Sequence, residues 1–189
     1  MVCGITVIED DVVSVSNLNR QFMYRESDIG KKKVELAISY LKERNSSITI
    51  SGIDKHISKE NVSSLLGGYD VVVDCVDNVE TRMVVNDYCV EQDVVLVEAG
   101  INSLYGFVMS IKKDSPCLRC IGYQNTKLVG DNEALGAAVG IVASLEALEV
   151  IKHIVGMDTV LFGTMLMIDC NEYEVERITL HKSETCTLH

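Results

Sequence analysis

Positive charge is scarce in this chain. Seventeen lysines and arginines stand against 28 aspartates and glutamates, a formal net charge of −11 at pH 7. Nucleic acid demands a basic face for its phosphates, so that class of partner is excluded. Proline is nearly absent: Pro116 stands alone, and no proline-rich linker, low-complexity stretch or internal repeat divides the 189 residues. A single domain over 1–189 is expected, with enough apolar residues, 47%, to bury a core. No uninterrupted apolar run is long enough for a membrane span. The most apolar stretch, Leu135 to Val155, contains Glu146, Glu149, Lys152 and His153 and reads as a buried helix. Met1-Val2-Cys3-Gly4 lacks the basic start and apolar stretch of a secretory signal. The seven cysteines are odd in number and scattered, which fits a reducing cytoplasm better than a disulfide framework. Cys3, Cys75, Cys89 and Cys170 are expected in the core.

What is present is an alternation. Val2 to Ile8 reads as a short buried strand ending in acid, Asp11 to Glu26 as a polar loop, and Lys31 to Arg44 as a helix with Val34, Ala37, Ile38 and Leu41 on one face. Ile48 to Ile53 is a strand, Lys59 to Leu66 a short helix closed by Gly67-Gly68, and Tyr69 to Val76 an apolar run suited to a central parallel strand. Val79 to Gln92 is a helix capped by Asn78, followed by the strand Val94 to Ala99. This order predicts an α/β, Rossmann-like, doubly wound and mostly parallel sheet. Beyond residue 100 the pattern changes to the strand Tyr105 to Ile111, a knuckle at Cys117 to Cys120, the long helix, and two antiparallel strands, Met165 to Asp169 and Tyr173 to Leu180. Gly136, Gly140 and Ser144, four apart on that helix, predict close packing by a neighbour.

Three polar segments interrupt this frame. Glu9-Asp10-Asp11 at the end of the first strand can hold a ribose, and Ser16-Asn17-Leu18-Asn19-Arg20-Gln21 just after it can hold phosphates. Asp74-Cys75-Val76-Asp77-Asn78 at the end of another strand can hold a metal. In dinucleotide-type folds the ribose acid ends the second strand, about 20 residues after a glycine-rich turn. Glu9 ends the first strand here, so the first strand, glycine loop and first helix are expected to have no counterpart. Taken alone, Lys31-Lys32-Lys33 reads as a solvated helix start and Asp77-Asn78 as a helix cap.

Together, Glu9 to Gln21, Ile29 to Glu35, and Asp74 to Asn78 with Arg82 and Asn86 resemble, in order and spacing, the ThiF/MoeB/HesA family, bacterial relatives of the ubiquitin-activating enzymes. The resemblance implies that Glu9 holds the ribose hydroxyls. Asn17, Arg20 and Gln21 would contact the triphosphate of ATP, and Asp11, Ser16, Leu18 and Asn19 would bind the nucleotide with them. Arg20 and Lys33 would stabilise charge as pyrophosphate leaves, and Asp77 would hold magnesium with Asn78 beside it. Arg20, Lys33 and Asp77 are thus the implied catalytic residues. The implied reaction is adenylation of the C-terminal carboxylate of a small ubiquitin-like sulfur-carrier protein or a peptide. Residues 1–100 would form the nucleotide-binding half and 101–189 the carrier-binding and zinc half, in a homodimer or with a subunit that completes the ATP site. A non-catalytic carrier-binding scaffold, or an inactive fragment, is the alternative.

Cys117-Leu118-Arg119-Cys120 has the spacing of half a zinc site. The family's second cysteine pair lies near the C-terminus, where this chain reads Cys186-Thr187-Leu188-His189. Cys117, Cys120, Cys186 and His189 are therefore expected to bind structural zinc. Ile121 to Ala134 contains no cysteine, so activity is expected to stop at the acyl-adenylate.

Overall fold

A computed structural model of the chain describes residues 2–126 and 134–189. Half of the segment Ile121 to Ala134, expected to lack a thioester function, lies outside the described residues. The backbone groups into two compact units, Met1–Ile57 and Ser58–His189.

In the first unit, β1 (Gly4–Ile8) and β2 (Thr49–Ile53) pair in parallel, with Gly4 opposite Thr49 and Ile8 opposite Ile53. The connection includes α1 (Lys33–Arg44), which buries Val34 and Ala37, as its helical spacing requires. Gly52 lets the helix lie directly on β2: a Cβ there would stand 2.2 Å from Ile38 Cδ1 and 2.7 Å from Val34 Cγ2. The polar loop between β1 and α1 contains two single 3-10 turns, Val15–Asn17 and Glu26–Asp28.

The second unit contains α2 (Val62–Leu66), β3 (Val71–Asp74), α3 (Val79–Gln92), β4 (Val95–Asn102), β5 (Tyr105–Ile111), α4 (Gly136–Ile154), β6 (Thr164–Asp169) and β7 (Glu174–Thr179). Its sheet runs β3-β4-β5-β6-β7. The β3–β4 pair is parallel, joined through α3, and the remaining pairs are antiparallel. The parallel pairs thus come first and the antiparallel extension follows, as the sequence predicts. Leu96, Val97, Val108, Met109 and Ile111 are completely buried in the middle of this sheet. Asn78 caps α3, its Oδ1 accepting from the Thr81 N–H at 2.8 Å.

Helix α4 corrects one expectation. It is not buried all round. Val142 sits on β5, where a Cβ on Gly106 would lie 2.5 Å from it, and joins a core of Ala99, Val108, Leu161 and Ile168. The same inward face carries Glu146 and Glu149, whereas Ile141, Leu148, Ile151 and Val155 are exposed. No helix among the described residues is long and apolar enough to cross a membrane. The cysteines also divide. Cys89 is buried and Cys170 half-buried, but Cys3 and Cys75 are exposed and are not core residues. Each lies at the margin of a strand, where alternation no longer guarantees cover.

Candidate functional site

In the first unit, residues 11–13 run beside 31–33 as a short ladder. The Lys33 N–H donates to the Asp11 carbonyl at 3.0 Å, the Val13 N–H to that of Lys31 at 2.9 Å, and Val12 bridges Lys32. This pairing carries the Lys33 ammonium to 2.9 Å from Asp11 Oδ2 and 3.7 Å from Glu9 Oε2. The Asp11 N–H in turn donates to Glu9 Oε1 at 2.9 Å. Tyr24 donates its hydroxyl to the Lys33 carbonyl at 3.4 Å. Burial, and then the charge of Glu9, push the Tyr24 hydroxyl up to about 12, so it stays a donor.

The three lysines are therefore unlike. Lys31 pairs with Asp28 at 2.8 Å, and Lys32 reaches Asp54 at 3.0 Å, both on the surface. Lys33 alone is buried, and the solvated reading fails for it. The residues expected to form the phosphate loop are drawn together locally. Asn17 is buried, its Oδ1 accepting from the Ser14 N–H at 2.9 Å, while Arg20 Nη1 donates to the Ser16 carbonyl and to Asn19 Oδ1, both at 3.0 Å. Ser16 and Ser14 share a hydroxyl hydrogen bond at 2.9 Å, and Leu18 is half-buried. Gln21 Oε1 is buried with no hydrogen-bond partner among the described residues. A guanidinium, an ammonium and amide side chains on one loop and helix start are a donor set suited to a polyphosphate, with Glu9 an acceptor suited to sugar hydroxyls.

In the second unit, β3 ends at Asp74, whose Oδ1 accepts from the Val76 N–H at 2.8 Å. The turn that follows leaves Asp77 exposed, and the Asn78 amide oxygen serves the cap. Arg82 and Asn86 have internal duties. Arg82 donates to the Ala99 carbonyl at 2.8 Å, also meets the Val76 carbonyl, and lies against the buried Glu98 carboxylate. It thereby ties the Asp77 turn to β4. Asn86 is fully buried and its Oδ1 accepts from the Leu118 N–H at 3.0 Å, while neighbouring Asp87 forms an ion pair with Arg119. These contacts clasp the cysteine knuckle onto α3. Losing a buried acceptor costs about 1–3 kcal/mol, so Asn86→Ala is expected to lower stability by that amount in urea unfolding. An unchanged midpoint would remove the clasp.

Sequence reading missed the acids buried in the second unit. Glu98 sits within an apolar strand, and Glu146 and Glu149 lie three apart on the face of Val142; charge on an otherwise apolar face was the available signal. Glu149 is satisfied by Ser110 at 3.1 Å, the Leu161 N–H at 2.7 Å and Lys152 at 2.5 Å. Glu146 is not: its Oε1 has no hydrogen-bond partner among the described residues, and Cys75 Sγ is 4.0 Å from Oε2. Burial, and then the charge of Asp74, push the Glu146 carboxyl up to about 8. Burial also holds Asp74 above the usual carboxylate range, with Arg82 opposing the shift.

A raised carboxyl favours the folded state while it keeps its proton. Its contribution is full below the unfolded value of 4.5 and is lost as pH rises towards about 8. Glu146→Gln is therefore expected to stabilise the protein at pH 8 by about 2–4 kcal/mol and to do little at pH 4. Urea unfolding at both pH values checks this, and an equal effect at each would contradict it.

Four side chains converge at the knuckle. Ligand atoms of Cys117, Cys120, Cys186 and His189 all lie within 4.8 Å of one another. Cys117 Sγ stands 3.9 Å from that of Cys120 and 3.8 Å from that of Cys186. Zinc–sulfur bonds of about 2.3 Å in a tetrahedron give sulfur–sulfur edges of about 3.8 Å, so the residues fit zinc. The turn is closed by the Cys120 N–H donating to the Cys117 carbonyl at 3.0 Å. Burial, and then Lys182, lower the pKa of His189, favouring the neutral imidazole that a metal requires.

The ThiF family model matches residues 2–188. Among curated proteins, the chain is similar to the adenylyltransferase and sulfurtransferase MOCS3 of Culex quinquefasciatus, 36% identical over 182 residues, covering 93% of this chain and 42% of that protein. It is also similar to the SAMP-activating enzyme E1 of Haloferax volcanii, 30% identical over 187 residues, covering 96% of this chain and 69% of that one. Among solved structures, E. coli MccB with ATP superposes with a TM-score of 0.81 at 22% identity, over 98% of this chain and 58% of that one. MccB in complex with N-formylated MccA gives 0.84 at 22% identity, over 98% and 60%. The MccB likeness shows the fold. The chain spans less than half the length of the MOCS3 relative.

Proposed function

Because the chain belongs to the ThiF family, we propose that it is an adenylyltransferase, activating the C-terminal carboxylate of a small ubiquitin-like sulfur-carrier protein or peptide as an acyl-adenylate. The observation that carries this reading is the buried Lys33 ammonium set between Glu9 and Asp11, on the unit that also holds the Arg20 loop. The names of the relatives, an adenylyltransferase and a SAMP-activating enzyme, support it.

Glu9 accepts the ribose hydroxyls. Asn17, Arg20 and Gln21 meet the triphosphate, with Asn17 also shaping the turn through Ser14, and Ser16, Leu18 and Asn19 complete the nucleotide-binding loop. The carrier's carboxylate oxygen attacks the α-phosphorus, a phosphorus–oxygen bond forms, and the bond from that phosphorus to the β-bridging oxygen breaks. Its electron pair leaves with pyrophosphate. A carboxylate is already ionised at neutral pH, so no general base is needed; positioning and charge neutralisation do the rest. Arg20 and Lys33 offset the charge that develops on the leaving oxygens. Asp77, with Asn78 beside it, would hold Mg2+, which supplies further charge neutralisation at the phosphates.

Residues 1–100 provide the nucleotide roles, and 101–189 the zinc knuckle and carrier contacts. The zinc role is structural, through Cys117, Cys120, Cys186 and His189. The exposed aliphatic stripe of α4 suits a homodimer or a completing subunit, and the setting is cytoplasmic. Calorimetric titration with Mg2+ and ATP tests the reading. Saturable binding in the micromolar range is expected, followed by carrier-dependent pyrophosphate exchange; no binding would overturn it.

A further inference from the structure

We propose that Asp11 is the positioning residue for Lys33; the proposal rests on the reading of Lys33 as a phosphate ligand given above. Asp11 grips Lys33 twice. Its carbonyl accepts from the Lys33 N–H at 3.0 Å, and its Oδ2 pairs with the ammonium at 2.9 Å. The two ends of this pair differ in environment: the Lys33 side chain is 7% exposed and that of Asp11 71%. The ammonium is thus enclosed, and its closest counter-charge is a solvated carboxylate.

Lys33 has reason to need that partner. It is the first residue of α1, where the positive end of the helix dipole disfavours a cation. Glu9 is farther, at 3.7 Å, and the ribose hydroxyls compete for it once nucleotide binds. The Asp11 N–H also donates to Glu9 Oε1, so one residue aligns the sugar acid and the phosphate cation together. Asp11 therefore fixes where the ammonium stands before the triphosphate arrives.

The test is a double-mutant cycle in the full chain, using Asp11→Asn, Lys33→Met and the double variant, with Asp11→Glu as the conservative replacement. Asp11→Asn is expected to lower kcat for adenylate formation about 10- to 100-fold while changing KM for ATP little, since a misplaced group costs rate more than binding. In the Lys33→Met background it is expected to cost nothing further, and Asp11→Glu is expected to restore most of kcat. Equal losses in both backgrounds, or kcat of Asp11→Asn near wild type, would overturn the proposal.

A second readout needs no nucleotide. The acetylation rate of the Lys33 amine by acetic anhydride at neutral pH, followed by mass spectrometry, is expected to rise several-fold in Asp11→Asn. An unchanged rate would overturn the pairing. A raised rate in a chain that binds no ATP would support the pairing and sink the adenylation reading instead.

Discussion

Lys33→Ala and Arg20→Ala are each expected to cut adenylate formation about 1,000-fold or more, the scale at which fixed cations act on a departing phosphate. Lys33 is expected to show the larger loss. Its removal leaves the Glu9 and Asp11 carboxylates uncompensated where they stood 3.7 and 2.9 Å from its ammonium, so the site repels the triphosphate as well as failing to hold it. The fold is expected to survive. Asp11 is largely solvated, and the contacts of Arg20 to Ser16 and Asn19 are local. Asp77→Ala is expected to behave likewise, since its side chain is exposed and the neighbouring cap is made by Asn78. Single-turnover adenylate formation, read beside circular dichroism, checks all three. Turnover within a few-fold of wild type would break the assignment of these residues.

The second large effect concerns the knuckle. The purified chain is expected to carry about one zinc, and Cys117→Ser is expected to lose it. Cys117 is fully buried and stands between Cys120 and Cys186, so its sulfur joins the turn to a segment 69 residues away. The stability lost should be on the order of 5 kcal/mol, less than zinc-finger peptides lose, because the knuckle keeps other anchors. Those anchors are the Asn86 bond to Leu118 and the Asp87–Arg119 pair. Chelation of the wild type should reproduce the variant's unfolding temperature. Metal analysis showing no zinc, with Cys117 and Cys120 reduced, would remove the site.

The motif segments were legible in the sequence because their chemistry is local. Glu9, Asn17, Arg20 and Gln21 sit on one short loop, and any fold that makes the loop brings them close. Lys33 was legible only through the family's spacing. Beside Lys31 and Lys32 it looked like one of three solvated cations, and only its pairing with Asp11, 22 residues earlier, sets it apart. Arg82 and Asn86 belonged to a recognised segment, yet their partners, Glu98, Ala99 and Leu118, come from elements that no spacing along α3 reveals.

By itself the sequence determined the order of strands and helices, the caps, the polar loop after β1 and the family, because hydrophobic periodicity and motif spacing act over a few residues. Tertiary structure decided which charges are buried. Lys33 at a helix start, Glu98 within a strand, and Glu146 on the inward face of α4 lose water only when distant segments close over them. It also decided that Cys186 and His189 meet Cys117 and Cys120, since a tetrahedral site needs ligands within a few ångströms in space, whatever their separation along the chain.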